Sequence, residues 1–210
     1  MKVCADSIDE FVEWVSCMET PSEYSVNQYK ANTFCRSNLS YYLQMFTKIP
    51  CKTILVGEAP GRFGAYLTGV PFTDEYTMQN SSFFRKLGIQ RSDNPQREIT
   101  ASVVWRFLDK VPSSHWPLMW NVYPFHPSIV GRDILNAESR PNRYPKKDEC
   151  EMGLNILYRL IGLFGISRII AVGRTSEKYI SKDYGHVEYV RHPAHGGAND
   201  FMNKMKILLK

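Results

Sequence analysis

Three polar residues of this 210-residue chain stand where apolar runs end, and their types suit chemistry on a polar ring. Glu58 follows Thr53–Gly57 within Gly-Glu-Ala-Pro-Gly, Asn121 interrupts the end of a second apolar run, and His192 follows a further one. A carboxylate serves as a general base or stabilises a cation, an amide both donates and accepts, and an imidazole polarises an oxygen that gains charge. Each also has a structural interpretation, as a turn carboxylate, a buried hydrogen bond or a packed histidine. Their shared position at the ends of apolar runs favours a common site.

Two further segments suit recognition of a ring and of a phosphate. Phe72 follows a Gly- and Pro-rich stretch, where it serves either as a stacking platform for a planar ring or as an ordinary core residue. Gly173-Arg174-Thr175-Ser176 opens a helix after an apolar run, and backbone N–H groups at such a start suit a phosphate. The alternative is a plain helix cap by Thr175 or Ser176.

The elements that position these residues follow from the apolar spacing. Strands are predicted at 53–57, 118–123, 167–173 and 187–191. Helices are predicted at 6–18, 36–48, 81–87, 101–109, 148–164, 175–181 and 199–209. Loops are predicted at 58–80, 89–99 and 131–147. Strands that are apolar on both faces and alternate with helices predict a three-layer α/β sandwich around a central four-stranded parallel sheet. We expect one domain over 1–210, with N-terminal helices in 1–50 and the motif-bearing core in 51–210.

Composition narrows the class of protein. The 43% of hydrophobic residues is ordinary, no run has the length of a membrane span, and the N-terminus has no secretory pattern, so we expect a cytoplasmic monomer. The five cysteines are scattered and never form C-x-x-C, which argues against disulfides and zinc. An iron–sulfur site from four distant cysteines stays open as the minor alternative. The net charge of +5, concentrated in 131–147, is compatible with a polyanionic partner.

These motifs resemble the uracil-DNA glycosylase superfamily over about residues 53–200. The Gly57–Gly61 block, GEAPG, matches the water-activating motif of the iron–sulfur uracil glycosylases. The longer run from Pro60 to Phe72, with PGRFG and TGVPF, looks more like the single-strand-selective monofunctional enzymes. Asn121 in NVYPFHP falls where the family places its base-reading asparagine, and Arg191-His192-Pro193 matches its late histidine motif.

The resemblance implies a role for each residue. Glu58 would orient a water or stabilise the cationic sugar, and Phe72 would stack on the flipped base. Asn121 would read the Watson–Crick edge of that base, and His192 would stabilise O2 of the leaving pyrimidine. Breaking an N-glycosidic bond develops positive charge on the sugar and negative charge on the base, which such groups oppose without a metal or another cofactor.

The resemblance also implies contacts to DNA. Gly173, Arg174, Thr175 and Ser176 would grip a backbone phosphate. The loop after His192 would enter the duplex, and it consists of Pro193, Ala194, His195, Gly196, Gly197, Ala198 and Asn199. The family's wedge is often a large side chain, and only His195 is bulky here. No lysine stands in the recognised motifs, which argues against an attached lyase activity.

One departure bears on the substrate. Members of the family that exclude groups at C5 place a tyrosine after the proline of the first motif, and this chain has Gly61, followed by Arg62 and Phe63. These three residues are therefore predicted to shape the base pocket, and a pocket without that tyrosine would admit bases larger than uracil.

The sequence thus predicts a monofunctional DNA glycosylase that removes uracil or another altered pyrimidine from single- or double-stranded DNA, in DNA repair. One alternative is removal of bulky modified cytosines from foreign DNA, in defence. Alternatives of other classes are a DNA-binding module without turnover and a small-molecule nucleoside hydrolase.

Overall fold

The computed structural model describes residues 5–84, 93–131 and 141–209. The strands are β1 (Ser25–Val26), β2 (Thr53–Gly57), β3 (Leu118–Asn121), β4 (His126–Pro127), β5 (Arg168–Val172) and β6 (Glu188–Val190). The helices are α1 (Ala5–Cys17), α2 (Gln28–Ala31), α3 (Thr33–Phe46), α4 (Ala65–Thr68), α5 (Glu75–Asn80), α6 (Ile99–Leu108), α7 (Lys147–Phe164), α8 (Arg174–Tyr184) and α9 (Ala198–Leu208), with a 3₁₀ turn at Ser113–His115.

Four parallel strands form the central sheet in the order β3-β2-β5-β6. The central strand β2 is fully buried at Ile54, Leu55 and Val56, as expected for a strand covered on both faces. Two short antiparallel strands, β1 and β4, pair outside this sheet. The predicted fold class, an α/β sandwich around a four-stranded parallel sheet, is confirmed.

The strand order decides which face each helix covers. The chain moves from β2 to one side to form β3, and then crosses back to form β5 and β6. Because parallel crossovers are right-handed, this reversal places α6 on one face and α7 and α8 on the other. In agreement, α7 packs on α8, while α6 packs on α9. The carboxyl ends of β2 and β3 lie at the reversal, where α/β sheets bind ligands.

Several predicted elements need correction. The segment 58–80 is not all loop, because it contains α4 and α5, and α5 begins where the Asp74 carboxylate accepts the Thr77 N–H at 2.7 Å. The helix predicted at 81–87 is wrong for residues 81–84, which form a turn, and 85–87 lie outside the described residues. The N-terminal region also contains β1 and α2, which apolar spacing does not reveal. Of the predicted basic loop 131–147, residues 132–140 lie outside the described part of the chain.

The described ranges contain no helix that is both long enough and apolar enough to cross a membrane. Of the cysteines in these ranges, Cys17 is exposed while Cys35, Cys51 and Cys150 are buried, and all four are free thiols.

Candidate active site

The ends of β2 and β3 bring the first two candidate residues side by side. Gly57 pairs with Asn121 in the parallel register. The ladder continues past the strands, since Val122 N–H donates to the Gly57 carbonyl at 2.8 Å and Tyr123 N–H donates to the Glu58 carbonyl at 3.0 Å. Glu58 and Asn121 therefore leave adjacent strands at the same edge of the sheet.

Asn121 and Phe72 meet over Gly57. A Cβ atom added to Gly57 would lie 2.6 Å from both Asn121 Oδ1 and Phe72 Cζ, so only glycine allows these two side chains to approach there. Asn121 is 5% exposed, yet its amide makes no hydrogen bond to any residue in the described ranges. The amide is not among the fully buried polar groups that lack a partner, so it keeps some access for a ligand. Gly57 thus places the Asn121 amide and the Phe72 ring, which is 6% exposed, side by side at the end of the sheet.

Phe72 holds an unusual backbone conformation. Its φ is 54°, which is uncommon for a bulky side chain. The indole N–H of Trp105 donates to the Phe72 carbonyl and to Thr73 Oγ1, both at 3.1 Å. Helix α6 thus fixes the residue in a costly conformation, which is typical of functional positions.

Glu58 is half-buried at the start of the loop after β2. Burial raises the pKa of its carboxyl, and a hydrogen bond from the Thr175 side chain partly offsets that rise. Thr175 lies in the first turn of α8, so this hydrogen bond joins the end of β2 to the helix that follows β5. Burial raises the pKa of the Cys150 thiol on α7, and the nearby Glu58 charge raises it further.

His192 presents a neutral imidazole. Its Nδ1 accepts the Ala194 N–H at 3.2 Å, which assigns the ring proton to Nε2. Burial lowers the pKa of the imidazole, and the charge of His195 lowers it further. The ring packs near the end of β5, because a Cβ atom on Gly173 would lie 3.5 Å from His192 Cβ. The site thus contains a neutral N–H donor, which suits an oxygen that gains negative charge.

The loop after His192 is a tight turn with an exposed tip. His195 has φ 52° and Gly196 has φ 77°, and both are exposed. A Cβ atom on Gly197 would overlap the His192 carbonyl, so the turn requires glycine there. Arg191 ties the loop down by pairing with Asp200 at 2.7 Å. His195 therefore projects at the tip, while Pro193 is buried.

The proposed phosphate site at 173–176 has two hydroxyl groups, and both face partners within the protein. The Ser176 hydroxyl is buried and donates to the Val172 carbonyl at 3.1 Å, and the Thr175 hydroxyl is engaged with Glu58. Arg174 is exposed, pairs with Glu177 at 2.7 Å and stacks over Tyr189 at 4.2 Å. A phosphate at this helix start would therefore meet backbone N–H groups and Arg174, and not the two hydroxyls.

The loop that follows Glu58 contains the predicted pocket residues Gly61, Arg62 and Phe63. The Arg62 guanidinium stacks on the Phe63 ring at 4.4 Å, and the Arg62 N–H donates to Asn142 Oδ1 at 3.0 Å. The fully buried His126 fixes the same loop through a 3.0 Å contact of its Nδ1 with the Pro60 carbonyl.

The space beside Gly61, which the sequence predicted to be open, is occupied. The carboxyl group of Glu98 fills it, since a Cβ atom on Gly61 or Gly64 would overlap the carboxylate oxygens. Glu98 lies in a segment predicted only as a polar loop. Its one sequence signal is its position directly before the apolar helix α6.

No group of three His, Cys, Asp or Glu side chains within 5–84, 93–131 and 141–209 is placed to hold a metal ion.

Both the sequence and the fold of this chain are similar to those of known proteins. The family model for the uracil DNA glycosylase superfamily matches residues 45–208. The solved structure of wild-type Pedobacter heparinus SMUG2 matches with a TM-score of 0.72 over 99% of both chains, at 17% sequence identity. At that identity the likeness shows the fold alone. No curated protein gives a significant match to the sequence.

Proposed function

Because the chain belongs to the uracil-DNA glycosylase superfamily, we propose that it is a monofunctional DNA glycosylase. It flips a uracil or another altered pyrimidine out of DNA and hydrolyses the N-glycosidic bond, leaving an abasic site. We further propose that residues 1–210 act as one domain and as a monomer, in the repair of DNA in the cytoplasm.

The observation that carries the proposal is the unpartnered Asn121 amide beside the Phe72 ring. Asn121 is almost fully buried, and the amide has no hydrogen-bond partner among the described residues. A flipped pyrimidine would satisfy both features, because its edge donates and accepts hydrogen bonds and its face stacks on an aromatic ring. Binding the base there would give the amide hydrogen-bond partners that it lacks among the described residues.

The proposed reaction uses charges at both ends of the breaking bond. As the bond from C1′ to the base nitrogen breaks, its electron pair moves to the base, and negative charge develops on the pyrimidine oxygen O2. The Nε2–H of His192 donates to that oxygen. The Glu58 carboxylate stabilises the cationic sugar and orients a water, whose oxygen bonds to C1′ and whose proton is released.

The surface beside the site suits a DNA strand. The exposed His195 at the loop tip is the proposed wedge, and Gly196 and Gly197 give that loop its tight turn. Arg174 and the backbone at the start of α8 are the proposed phosphate contact.

The alternative of removing bulky modified cytosines depended on open space at Gly61. The Glu98 carboxyl occupies that space. A base of pyrimidine size with at most a small polar substituent therefore fits the described residues better than a glucosylated one.

The test is base release from oligonucleotides that contain uracil, 5-hydroxymethyluracil, thymine, hydroxymethylcytosine or glucosylated cytosine, in single strands and in duplexes. Alkali then cleaves each abasic site. The expected result is release of at least one altered base, and Asn121→Ala or His192→Ala should lower the rate by about a hundredfold or more. Tight binding without abasic product, unchanged in Glu58→Gln, would instead identify a binding module. Activity on free deoxynucleosides alone would identify a small-molecule hydrolase.

A further inference from the structure

Glu98 is an acidic residue beside the proposed pocket to which the mechanism assigns no task. It occupies the N-cap position of α6, yet its carboxyl group does not cap that helix. The carboxyl group lies against Gly61 and Gly64 instead, where a side chain on either glycine would overlap it. The Glu98 backbone N–H donates to Asp74 Oδ2 at 2.7 Å, which fixes where the side chain starts.

The same two segments hold Glu98 and the proposed stacking ring. Phe72 and Asp74 are two residues apart, and Asp74 anchors Glu98. Trp105, on the helix that Glu98 precedes, donates to the Phe72 carbonyl. The ring and the carboxyl group then face one loop, the ring at Gly57 and the carboxyl group at Gly61. Glu98 and Phe72 therefore line the same loop, at glycines that are four residues apart.

The Glu98 carboxyl group is available to form hydrogen bonds with a ligand. No hydrogen bond joins its oxygens to another residue in the described ranges. Burial and the charge of Asp74 raise the pKa of this carboxyl to about 7. A carboxyl group in such surroundings both donates and accepts at neutral pH.

Other charged groups near Glu98 are engaged elsewhere. Asp74 is fully buried and caps α5 through the Thr77 N–H. Glu75 accepts the Gln96 N–H at 2.9 Å. Two arginines stack on rings, Arg97 over Tyr76 at 3.4 Å and Arg62 over Phe63 at 4.4 Å.

We propose that Glu98 is a specificity-determining residue that hydrogen-bonds a small polar substituent of the flipped pyrimidine. It would select a base with a hydroxyl group there over the same base with a methyl group. The inference rests on the proposed function, because it takes the space beside Phe72 and Asn121 as the base pocket. The physical reason is that a site built around a polar group strongly disfavours a ligand that leaves that group unpaired. An ionised carboxylate also accepts a stronger hydrogen bond than a neutral one.

The test compares 5-hydroxymethyluracil with thymine, which differ by one hydroxyl group. Each is placed in an oligonucleotide with a 2′-fluoro sugar that resists cleavage, and affinity is measured by fluorescence anisotropy. We expect the wild-type protein to prefer 5-hydroxymethyluracil about tenfold or more, and Glu98→Ala to lose that preference. The preference of the wild-type protein should rise between pH 6 and pH 8, whereas that of Glu98→Gln should stay flat.

One control variant and the choice of readout make the result decisive. Glu151→Gln removes one negative charge from an exposed pair with Lys147 on α7, and it should keep the wild-type preference and its pH dependence. The preference is a ratio for one protein sample, so a variant that is partly unfolded still reports it correctly.

A wild-type preference in Glu98→Ala would overturn the role of Glu98, whichever bases the protein releases. A preference that depends on Glu98, together with no release of any natural base, would instead overturn the proposed reaction and leave the recognition role standing.

Discussion

At the residue scale, the candidate site depends on one amide whose surroundings are unusual for its burial. Asn121 and Asn38 are buried to nearly the same extent, at 5% and 6% exposed. Asn38 donates to the Thr68 carbonyl at 2.9 Å, whereas Asn121 has no partner in the described ranges. Asn38 therefore has a structural role, whereas the Asn121 amide is available to a ligand.

This contrast predicts opposite outcomes for two alanine substitutions. Asn121→Ala should lower the rate of base release about a hundredfold or more and change the free energy of unfolding by less than about 1 kcal/mol. Asn38→Ala should lower the free energy of unfolding by about 1–2 kcal/mol, because the Thr68 carbonyl loses its donor. Urea denaturation and single-turnover assays measure both. A large loss of stability in Asn121→Ala would show that its amide has a structural partner.

His192 should titrate below its ordinary pKa of 6.5, because burial and then His195 disfavour its charged form. A depressed pKa means that the unfolded chain binds the proton first. His192 therefore has no effect on stability above pH 6.5, and its contribution becomes destabilising as the pH falls through that value. An NMR titration should place the His192 midpoint below 6.5.

The variant His195→Asn tests the second cause, since asparagine tolerates the positive φ at this position. It should raise the His192 midpoint without restoring the ordinary value, because burial remains the larger cause. A midpoint that is unchanged in this variant would show that the two imidazoles do not interact.

At the element scale, long apolar runs were predictable and short capped helices were not. All four strands of the sheet lie within their predicted ranges, because β-branched apolar residues buried on both faces leave a plain pattern. Helices α2 and α5 are four and six residues long and begin at side-chain caps from Asn27 and Asp74. Such helices are too short for apolar periodicity. A loop was therefore predicted at α5, and no element was predicted at α2, although tertiary contacts stabilise a turn of helix at both places.

Gly57 and Gly162 differ in the space around them, so alanine should affect activity at the first and stability at the second. Gly57→Ala should abolish most activity, at least a hundredfold, because the new methyl group would lie 2.6 Å from Asn121 Oδ1 and Phe72 Cζ. Gly162→Ala, in an exposed part of α7 with nothing within 4 Å, should raise the free energy of unfolding by about 0.5–1 kcal/mol and leave activity unchanged. Thermal unfolding and base-release assays compare them. An active Gly57→Ala enzyme would place the pocket elsewhere.

At the scale of the whole molecule, the charge is modest and its sign fits the proposed partner. The chain has 26 Lys and Arg against 21 Asp and Glu, a net charge of +5. Several exposed cations are already paired, as Arg174 is with Glu177 and Arg191 is with Asp200. Because the net charge is small, we expect few phosphate contacts.

DNA affinity should therefore depend on salt, but only moderately. Between 50 and 200 mM NaCl we expect affinity for a 2′-fluorouracil oligonucleotide to fall about tenfold to a hundredfold, as a few phosphate contacts would give. Arg174→Gln should flatten that dependence, whereas Arg36→Gln, on α3, should not. Affinity that is independent of salt would contradict a phosphate contact at the start of α8.

The sequence by itself determined where the strands end and which polar residues follow them. This was possible because apolar runs, glycine turns and the residues directly after them are local features of the chain. Only the tertiary structure decided what faces those residues. The Glu98 carboxyl fills the space beside Gly61, and the Thr175 hydroxyl is bonded to Glu58 instead of facing a phosphate. Such contacts join residues far apart in the chain, and they depend on how helices pack across the end of the sheet. No local pattern encodes that packing.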